Sequence, residues 1–452
     1  MTQFRCIIAN AASKWPQNIA LIDGEQHFTY QQLSAVINKA CISLQKISPN
    51  TEEILGFKVS GQLNDIIRLL AAQRLGRCIL PINPKLSAAL LQRILVNIKY
   101  VDWNSQLDLT PALEISTPAM ETVSKDNFAA NWLLTSGSTA LPKIAVIGIQ
   151  NHIRSAEGSL SINSSGPGDR YLQSLPLFHI SGLATLYRCL LSGATLVMDR
   201  SNGQAQWFID KKITHVSLVP TQLDRLLVQE TQGEFSFKQV LLGGGPVPAS
   251  MSSYKLGLPI MQTYGLTEMA SQVITREVGG QDQLLPNRQL KIAEDGEVLV
   301  KGATLFLGYQ TIKGIELPLD DHGWFHTRDI GRWQDGCFSI IGRKDNQFIS
   351  GGENIQPETI EARLQQHPAI NRAIVVPLKD KTYGYRPFAF IEYAFESNDV
   401  LSTEILESWT HSELPPYMRP VAFQHLSDQD GLKISRPDLI KLAEQIVYDS
   451  LV

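Results

Sequence analysis

Residues 131–143 read NWLLTSGSTALPK. The apolar run Trp132 to Leu134 predicts a buried strand. It feeds a loop of small and hydroxyl residues, Thr135, Ser136, Gly137, Ser138 and Thr139, and Lys143 follows. Small residues let backbone N–H groups come close to an anion. Hydroxyls donate to phosphate oxygens, and a lysine neutralises them. The same composition also suits a plain Ser/Thr/Gly surface loop. A Walker loop needs G-x-x-x-x-G-K-[ST], which this stretch lacks, so a P-loop NTPase is disfavoured.

The chain around this loop has 452 residues, enough for two or three domains and a large core. Its formal net charge is −4, and 43% of its residues are apolar. The charge gives no sign of a nucleic-acid binder, and the apolar content argues against intrinsic disorder. The five cysteines, Cys6, Cys41, Cys78, Cys189 and Cys337, show no C-x-x-C spacing. Neither a zinc site nor a disulfide framework is therefore expected, and Cys41 and Cys189 read as small core residues. The N-terminal stretch MTQFRCIIANAASKWPQ lacks the pattern of a signal peptide. The most membrane-like stretch, Ile180 to Met198, carries Arg188 near its middle. A central Arg costs roughly 2.5–3.5 kcal/mol on membrane insertion, so this stretch reads as a buried helix and strand. A reducing cytoplasm is the expected compartment.

Helix and strand patterns alternate along most of the chain. Leu33, Val36, Ile37, Ala40, Cys41 and Leu44 share one face of a helix that Thr29 can cap. Short apolar runs predict buried strands at Ile54 to Val59, Ile144 to Ile147, Val216 to Val219 and Val240 to Leu242. A helix is expected over Gln222 to Val228. This alternation argues for α/β layers with mostly parallel pairing. Beyond about Gly342 the texture changes. Helices are expected at Pro357 to His367 and Thr403 to Trp409, and strands at Ala373 to Val376 and Phe388 to Tyr393. That is a compact α+β unit of common domain size.

TSGSTALPK resembles the phosphate-binding signature of the acyl-adenylate-forming superfamily, [ST]SG[ST]TGxPK, with Ala140 at a usual glycine. Further segments follow in the superfamily's order. LLGGGPVP, Leu241 to Pro248, is similar to the adenine-pocket loop and implicates Gly243, Gly244, Gly245 and Pro246. QTYGLTE, Gln262 to Glu268, implies Tyr264 for adenine stacking, Thr267 toward the α-phosphate, and Glu268 as a Mg²⁺ ligand. Thr139 is a further candidate ligand. HTRDIG, His326 to Gly331, implies that Asp329 holds the ribose hydroxyls. IGRKDNQFISGGENIQPETIE, Ile341 to Glu361, resembles the hinge, with Arg343 toward ribose or phosphate and Asp345 as the hinge residue. Gln356 stands where many relatives have Tyr. GLKISR, Gly431 to Arg436, resembles the C-terminal motif that carries the catalytic lysine, here Lys433. Singly, a GGG run is more often a turn, and a lone Glu or C-terminal Lys is more often solvated. The order of the motifs along one chain favours the functional reading.

The resemblance implies an α/β fold: a large N-terminal adenylate-forming domain with layered α/β subdomains over residues 1–342. A hinge at 343–345 joins it to a small mobile α+β C-terminal domain over 346–452. It also implies an enzyme that uses ATP, Mg²⁺ and CoA. The carboxylate of an acid attacks the α-phosphorus of ATP, and a thiol then attacks the acyl-adenylate. Positioning and charge neutralisation dominate such chemistry. Lys433 bridges carboxylate and α-phosphate in the first step and is removed by domain rotation before the second.

The acid is addressed by SLPLFHISGLATLYRCLLSG, Ser174 to Gly193. His179 occupies the place where amino-acid-activating relatives usually have Asp, which argues against an amino acid. Arg188 reads either as a core-edge residue or as the counter-charge for a second carboxylate. PLFHISG, HVSLVPTQLDRLL, QTYGLTEMAS, SGGENIQPE and GLKISR are most similar to the o-succinylbenzoate–CoA ligase branch, which serves menaquinone biosynthesis. Ser217, Thr221, Thr263, Gly265 and Gly244 lie in segments that border the acid pocket in that family. The implied partners are a small-molecule acid, ATP and CoA, with no nucleic acid and no membrane span; a homo-oligomer stays open. Another acyl- or aryl-CoA ligase, and a non-catalytic nucleotide-binding protein, remain as alternatives.

Overall fold

Thr29 begins its helix with a reciprocal cap. Its Oγ1 accepts from the Gln32 N–H at 3.1 Å, and Gln32 Oε1 accepts from the Thr29 N–H at 2.9 Å. Two donors that the helix Tyr30–Ile47 leaves unpaired at its start are so satisfied. The face carrying Leu33, Val36, Ile37, Ala40, Cys41 and Leu44 is buried and packs on the helix Leu63–Arg74. Each such side chain taken out of water contributes about 1.5–3 kcal/mol.

The computed structural model describes residues 4–50, 52–96, 98, 100–104, 107, 122–123, 127–135, 141–245, 257–277, 280–393, 402–426 and 436–449. The chain divides into two compact units. One comprises Met1–Leu290 with Val300–Phe325, the other Lys291–Leu299 with His326–Val452.

The first unit is α/β. Its nine-stranded sheet runs in the order Gln283–Leu284, Ser271–Glu277, Ile260–Leu266, Gln239–Leu242, His215–Leu218, Arg170–Gln173, Thr195–Met198, Ile19–Asp23, Gln26–Thr29. The central six of these strands, from Ile260–Leu266 to Ile19–Asp23, pair in parallel. Parallel strands need crossovers, and the helices Ile180–Ser192 and Pro220–Leu227 supply two of them. Leu172, Val197, Val216 and Val240 meet Leu223 and Leu226 of the latter helix in one core. A seven-stranded sheet has the order Gly314–Glu316, Gly308–Thr311, Lys143–Gly148, Ala129–Thr135, Ile79–Ile82, Ile54–Lys58, Tyr100–Asp102. The strands expected at Val216 to Val219 and Val240 to Leu242 are found at His215–Leu218, shifted by a residue, and Gln239–Leu242, begun one residue earlier.

Ile180 to Met198 is a helix and a strand, as its internal Arg requires. The helix Ile180–Ser192 ends at Gly193, whose φ of +80° closes the last turn, and the strand Thr195–Met198 follows. Among the described residues, no helix is long and apolar enough to cross a membrane. All five cysteines are free, and Cys41 and Cys189 are buried.

The second unit is α+β. An antiparallel pair, Ile370–Asp380 with Gly384–Tyr393, is flanked by the helix Pro357–Leu364 and by Thr403–Glu413. Phe348, Ile355, Ile360, Leu364, Val375, Ile391 and Leu406 form its core. The long hairpin Phe325–Gln334 with Cys337–Arg343 sets Asp329 directly opposite Arg343.

One buried group makes the first unit sensitive to acid. The His152 ring stacks on Tyr187 at 4.3 Å between ring centres, and burial pushes its imidazole down from 6.5 to about 3. The folded chain refuses a proton that the unfolded chain accepts below pH 6.5. The stability that rests on the neutral ring is therefore complete above pH 6.5 and is lost as pH falls toward 3. His152→Phe keeps the stacked ring and removes the titration. Urea unfolding of this variant is expected to lose less stability than wild type as pH falls from 6.5 toward 3.

Candidate active site

The strands Ala129–Thr135 and Lys143–Gly148 form a hairpin that sets Thr135 opposite Lys143. Both ends of the hydroxyl loop therefore meet, and the Thr135 hydroxyl donates to the Lys143 carbonyl at 3.4 Å. Ser136, Gly137, Ser138, Thr139 and Ala140 lie outside the described residues, as do Pro246 and Lys433. Lys143 is exposed. Its ammonium sits 4.9 Å from the ring centre of Tyr309, a cation–π distance.

The Tyr309 hydroxyl donates to Glu268 Oε1 at 2.6 Å. Glu268 lies in a single 3-10 turn, Thr267–Met269, and its carbonyl accepts the Phe306 N–H at 2.8 Å. The backbone around this turn is unusual. Ala270 and Ser271 both have positive φ, 52° and 110°. Left-handed backbone costs a non-glycine residue roughly 1–2 kcal/mol. Gly265 stands at the bulge between the strands Ile260–Leu266 and Ser271–Glu277, and a Cβ there would lie 2.2 Å from the Ser271 carbonyl oxygen. Only glycine permits the close approach that aims Thr267 and Glu268.

Gly243, Gly244 and Gly245 follow the strand Gln239–Leu242. A Cβ on Gly243 would come 2.8 Å from Thr263 Cγ2, and Gly244 has φ +79°. The glycine run thus lies against the half-buried strand that carries Thr263 and Tyr264. Thr221 is exposed in the first turn of Pro220–Leu227. His179 is exposed at the start of Ile180–Ser192, with its ring 4.6 Å from Phe178.

Arg188 is only 2% exposed. Its guanidinium donates to Gln272 Oε1 at 2.7 Å, to the Tyr171 hydroxyl at 3.1 Å and to Ser217 Oγ at 3.5 Å. These partners are all neutral; among the described residues no carboxylate forms an ion pair with it. Gln272 is held in turn, accepting from Ser159 Oγ at 2.7 Å and donating to Thr275 Oγ1 at 3.0 Å. Thr275 donates to Thr263 Oγ1 at 3.2 Å. A second buried guanidinium, Arg288, bonds Ser155 and the Pro286 carbonyl. Burial, with the Arg188 charge adding to it, pushes Arg288 down to about 9. This interior carries positive charge and lacks an acidic partner among the described residues.

In the second unit, Arg343 pairs with Asp329 at 2.7 Å and with Asp345 at 3.2 Å. Arg328, with φ +65°, reaches Asp345 at 3.5 Å. The Gln356 amide donates to the Arg343 carbonyl at 3.1 Å.

The chain matches the AMP-binding enzyme model over residues 96–310 and the AMP-binding enzyme C-terminal domain over residues 359–432. It is 38% identical to 2-succinylbenzoate–CoA ligase of Salmonella typhimurium, over 84% of this chain and 85% of that one. This chain belongs to the AMP-binding enzyme family. A structure of E. coli MenE with a phenylether-linked analogue of OSB-AMS superimposes with a TM-score of 0.81 at 31% identity, covering 98% of this chain and 100% of that one. MenE of Bacillus subtilis with the acyl-adenylate intermediate OSB-AMP gives 0.83 at 25% identity, covering 98% of each chain. The same protein with ATP and magnesium gives 0.81 at 26%, covering 94% and 96%.

Of the residues that family motifs pointed to, the fold brings Lys143 and Glu268 to one tyrosine, and Arg188, Ser217 and Thr263 to one hydrogen-bonded cluster. Tyr309, Tyr171, Gln272 and Arg288 were missed from sequence. Gln272 sits just beyond the QTYGLTE motif, and Tyr309 follows a glycine with φ +135°. Those adjacencies are the only signals they offer. Gly265→Ala is expected to lower stability by about 1–3 kcal/mol, measured by denaturant unfolding, because the new Cβ meets a backbone carbonyl that cannot move aside cheaply.

Proposed function

We propose that this AMP-binding enzyme is an acid–thiol ligase. It adenylates the succinyl carboxylate of o-succinylbenzoate with ATP and passes the acyl group to CoA. The products are o-succinylbenzoyl-CoA, AMP and pyrophosphate, within menaquinone biosynthesis. The observation that carries the reading is the buried Arg188 guanidinium, bonded only to neutral groups among the described residues. Burying an ion costs several kcal/mol unless a counter-charge arrives. An aromatic acid with two carboxylates supplies one: its ring carboxylate meets Arg188 while its succinyl carboxylate is left to react. The names of the similar ligases agree with this choice.

A carboxylate becomes an electrophile only once it carries a good leaving group. Lys143 and the hydroxyl loop hold the β- and γ-phosphates, Tyr264 stacks on adenine, Asp329 accepts from the ribose hydroxyls, and Arg343 lies beside them. Thr267 reaches the α-phosphate. Magnesium binds through one or two carboxylates plus phosphate oxygens, and half-buried Glu268 has one oxygen on Tyr309 and a second to offer. When bound, the ion offsets negative charge on the phosphates. Lys433 places its point charge between carboxylate and α-phosphate. The C-terminal part then turns about Asp345, which withdraws Lys433 and admits the thiol of CoA. Five free thiols, four of them buried, suit a reducing cytoplasm.

A panel of acids in ATP–pyrophosphate exchange tests the substrate. Exchange with o-succinylbenzoate is expected; exchange with benzoate or fatty acids but not with it sinks the proposal. Arg188→Ala is expected to raise KM for o-succinylbenzoate roughly thirtyfold or more while KM for ATP stays within about twofold. An unchanged acid KM would leave Arg188 a core residue. Lys433→Ala is expected to abolish acyl-AMP formation yet largely spare thioester formation from supplied acyl-AMP. Equal loss in both half-reactions contradicts the rotation.

A further inference from the structure

We infer that Tyr309 keeps Lys143 and Glu268 apart, so that the cation stays available to the nucleotide phosphates and the carboxylate to magnesium. The inference rests on the roles proposed above for those two residues. Unlike charges on neighbouring elements attract, even where one of them is exposed, and a flexible lysine can swing to close the gap. Among the described residues, neither Lys143 nor Glu268 enters an ion pair. Both instead touch Tyr309, which offers its ring face to the ammonium at 4.9 Å and its hydroxyl to Glu268 Oε1 at 2.6 Å. A tyrosine has the two faces this task needs, a negative π surface and a neutral donor at the edge.

The ring is well fixed for such a spacer. Its strand, Gly308–Thr311, lies between Lys143–Gly148 and Gly314–Glu316, with Tyr309 opposite Ala145 on one side and Glu316 on the other. Phe306 packs edge-on against it at 4.8 Å, and Phe325 lies tilted at 6.5 Å. Lys143 begins the adjacent strand, so ammonium and ring are held by one sheet. Glu268 is fixed from the same segment, since the Phe306 N–H bonds its carbonyl. The stretch Phe306 to Tyr309 thereby positions both the backbone and the side chain of Glu268. Donation to Oε1 sets the plane of the carboxylate and directs Oε2 as the remaining donor atom, a preorganised first ligand. Tyr309 is a positioning residue; it acts through its two neighbours.

Equilibrium binding of ATP, measured by calorimetry with no acid present, separates the two halves of this role. The quantity is the ratio of ATP Kd in EDTA to that in Mg²⁺. Tyr309→Phe keeps the ring over Lys143 and removes only the hydroxyl. Its ratio is expected to fall about tenfold, with Kd in EDTA within about twofold of wild type. Tyr309→Leu removes the ring too, so Lys143 pairs with Glu268, and Kd in EDTA is expected to rise about tenfold. Adding Glu268→Gln to Tyr309→Leu frees Lys143 and returns that Kd toward wild type, which loss of packing alone does not do. A Tyr309→Phe protein with the wild-type ratio, or a Tyr309→Leu protein with the wild-type Kd in EDTA, overturns the inference. Glu268→Gln alone with an intact magnesium effect instead overturns the role given to Glu268, whatever Tyr309 does.

Discussion

The guanidinium of Arg188 is the constraint around which the first unit is arranged. It lies on a helix, yet its hydrogen bonds reach three strands of the nine-stranded sheet through Tyr171, Ser217 and Gln272. Neutral partners accept from its two terminal nitrogens without cancelling its charge, and its buried Nε–H finds no acceptor among the described residues. Charge-assisted hydrogen bonds are stronger than neutral ones, but they do not repay the desolvation of an ion in full. The adjacent Arg288 is pushed down to about 9, first by its burial and further by the Arg188 charge. An arrangement so unfavourable in the empty protein suits the role proposed for Arg188, a counter-charge to an anionic substrate group.

The same device recurs beside the hairpin of Ala129–Thr135 with Lys143–Gly148. There a tyrosine stands between a lysine and a glutamate and satisfies both without charge. The second unit does the opposite. Asp329, Arg343, Asp345 and Arg328 neutralise one another, and Lys344 is shared by Asp295 and Glu297. The more exposed of these pairs, Arg328 with Asp345 and Lys344 with Asp295, contribute about 0–1 kcal/mol each. Such pairs exchange partners at little cost, which suits a segment proposed to hinge, whereas Arg188, Lys143 and Glu268 of the first unit enter no ion pair among the described residues.

Local signals were legible wherever their physics was local. The 3.6-residue spacing of Leu33 to Leu44 and the Thr29 cap needed nothing from elsewhere in the chain. An arginine inside the apolar stretch from Ile180 to Met198 was enough to call for a buried helix over a membrane span. The glycine run was readable too, since Gly243 lies close against Thr263 and Gly244 has positive φ, whereas the need for glycine at Gly193 and Gly265 emerged only from the structure. The order of the nucleotide motifs pointed to the family and named Lys143 and Glu268, while the segment Ser174 to Gly193 singled out Arg188 with two readings open.

Tyr309, Tyr171, Gln272 and Arg288 had no such signature. Tyrosine, glutamine and arginine occur everywhere in α/β chains, and these four acquire a role only from partners distant in sequence. Tyr309 matters because the strand Gly308–Thr311 adds to the edge of Lys143–Gly148 and the Thr267–Met269 turn folds beneath it. The sequence by itself determined the elements, the family and the charged groups proposed to meet the ligand. Tertiary structure alone decided which neutral side chains surround those charges, because strand order and register, set by the packing of the whole sheet, bring them together.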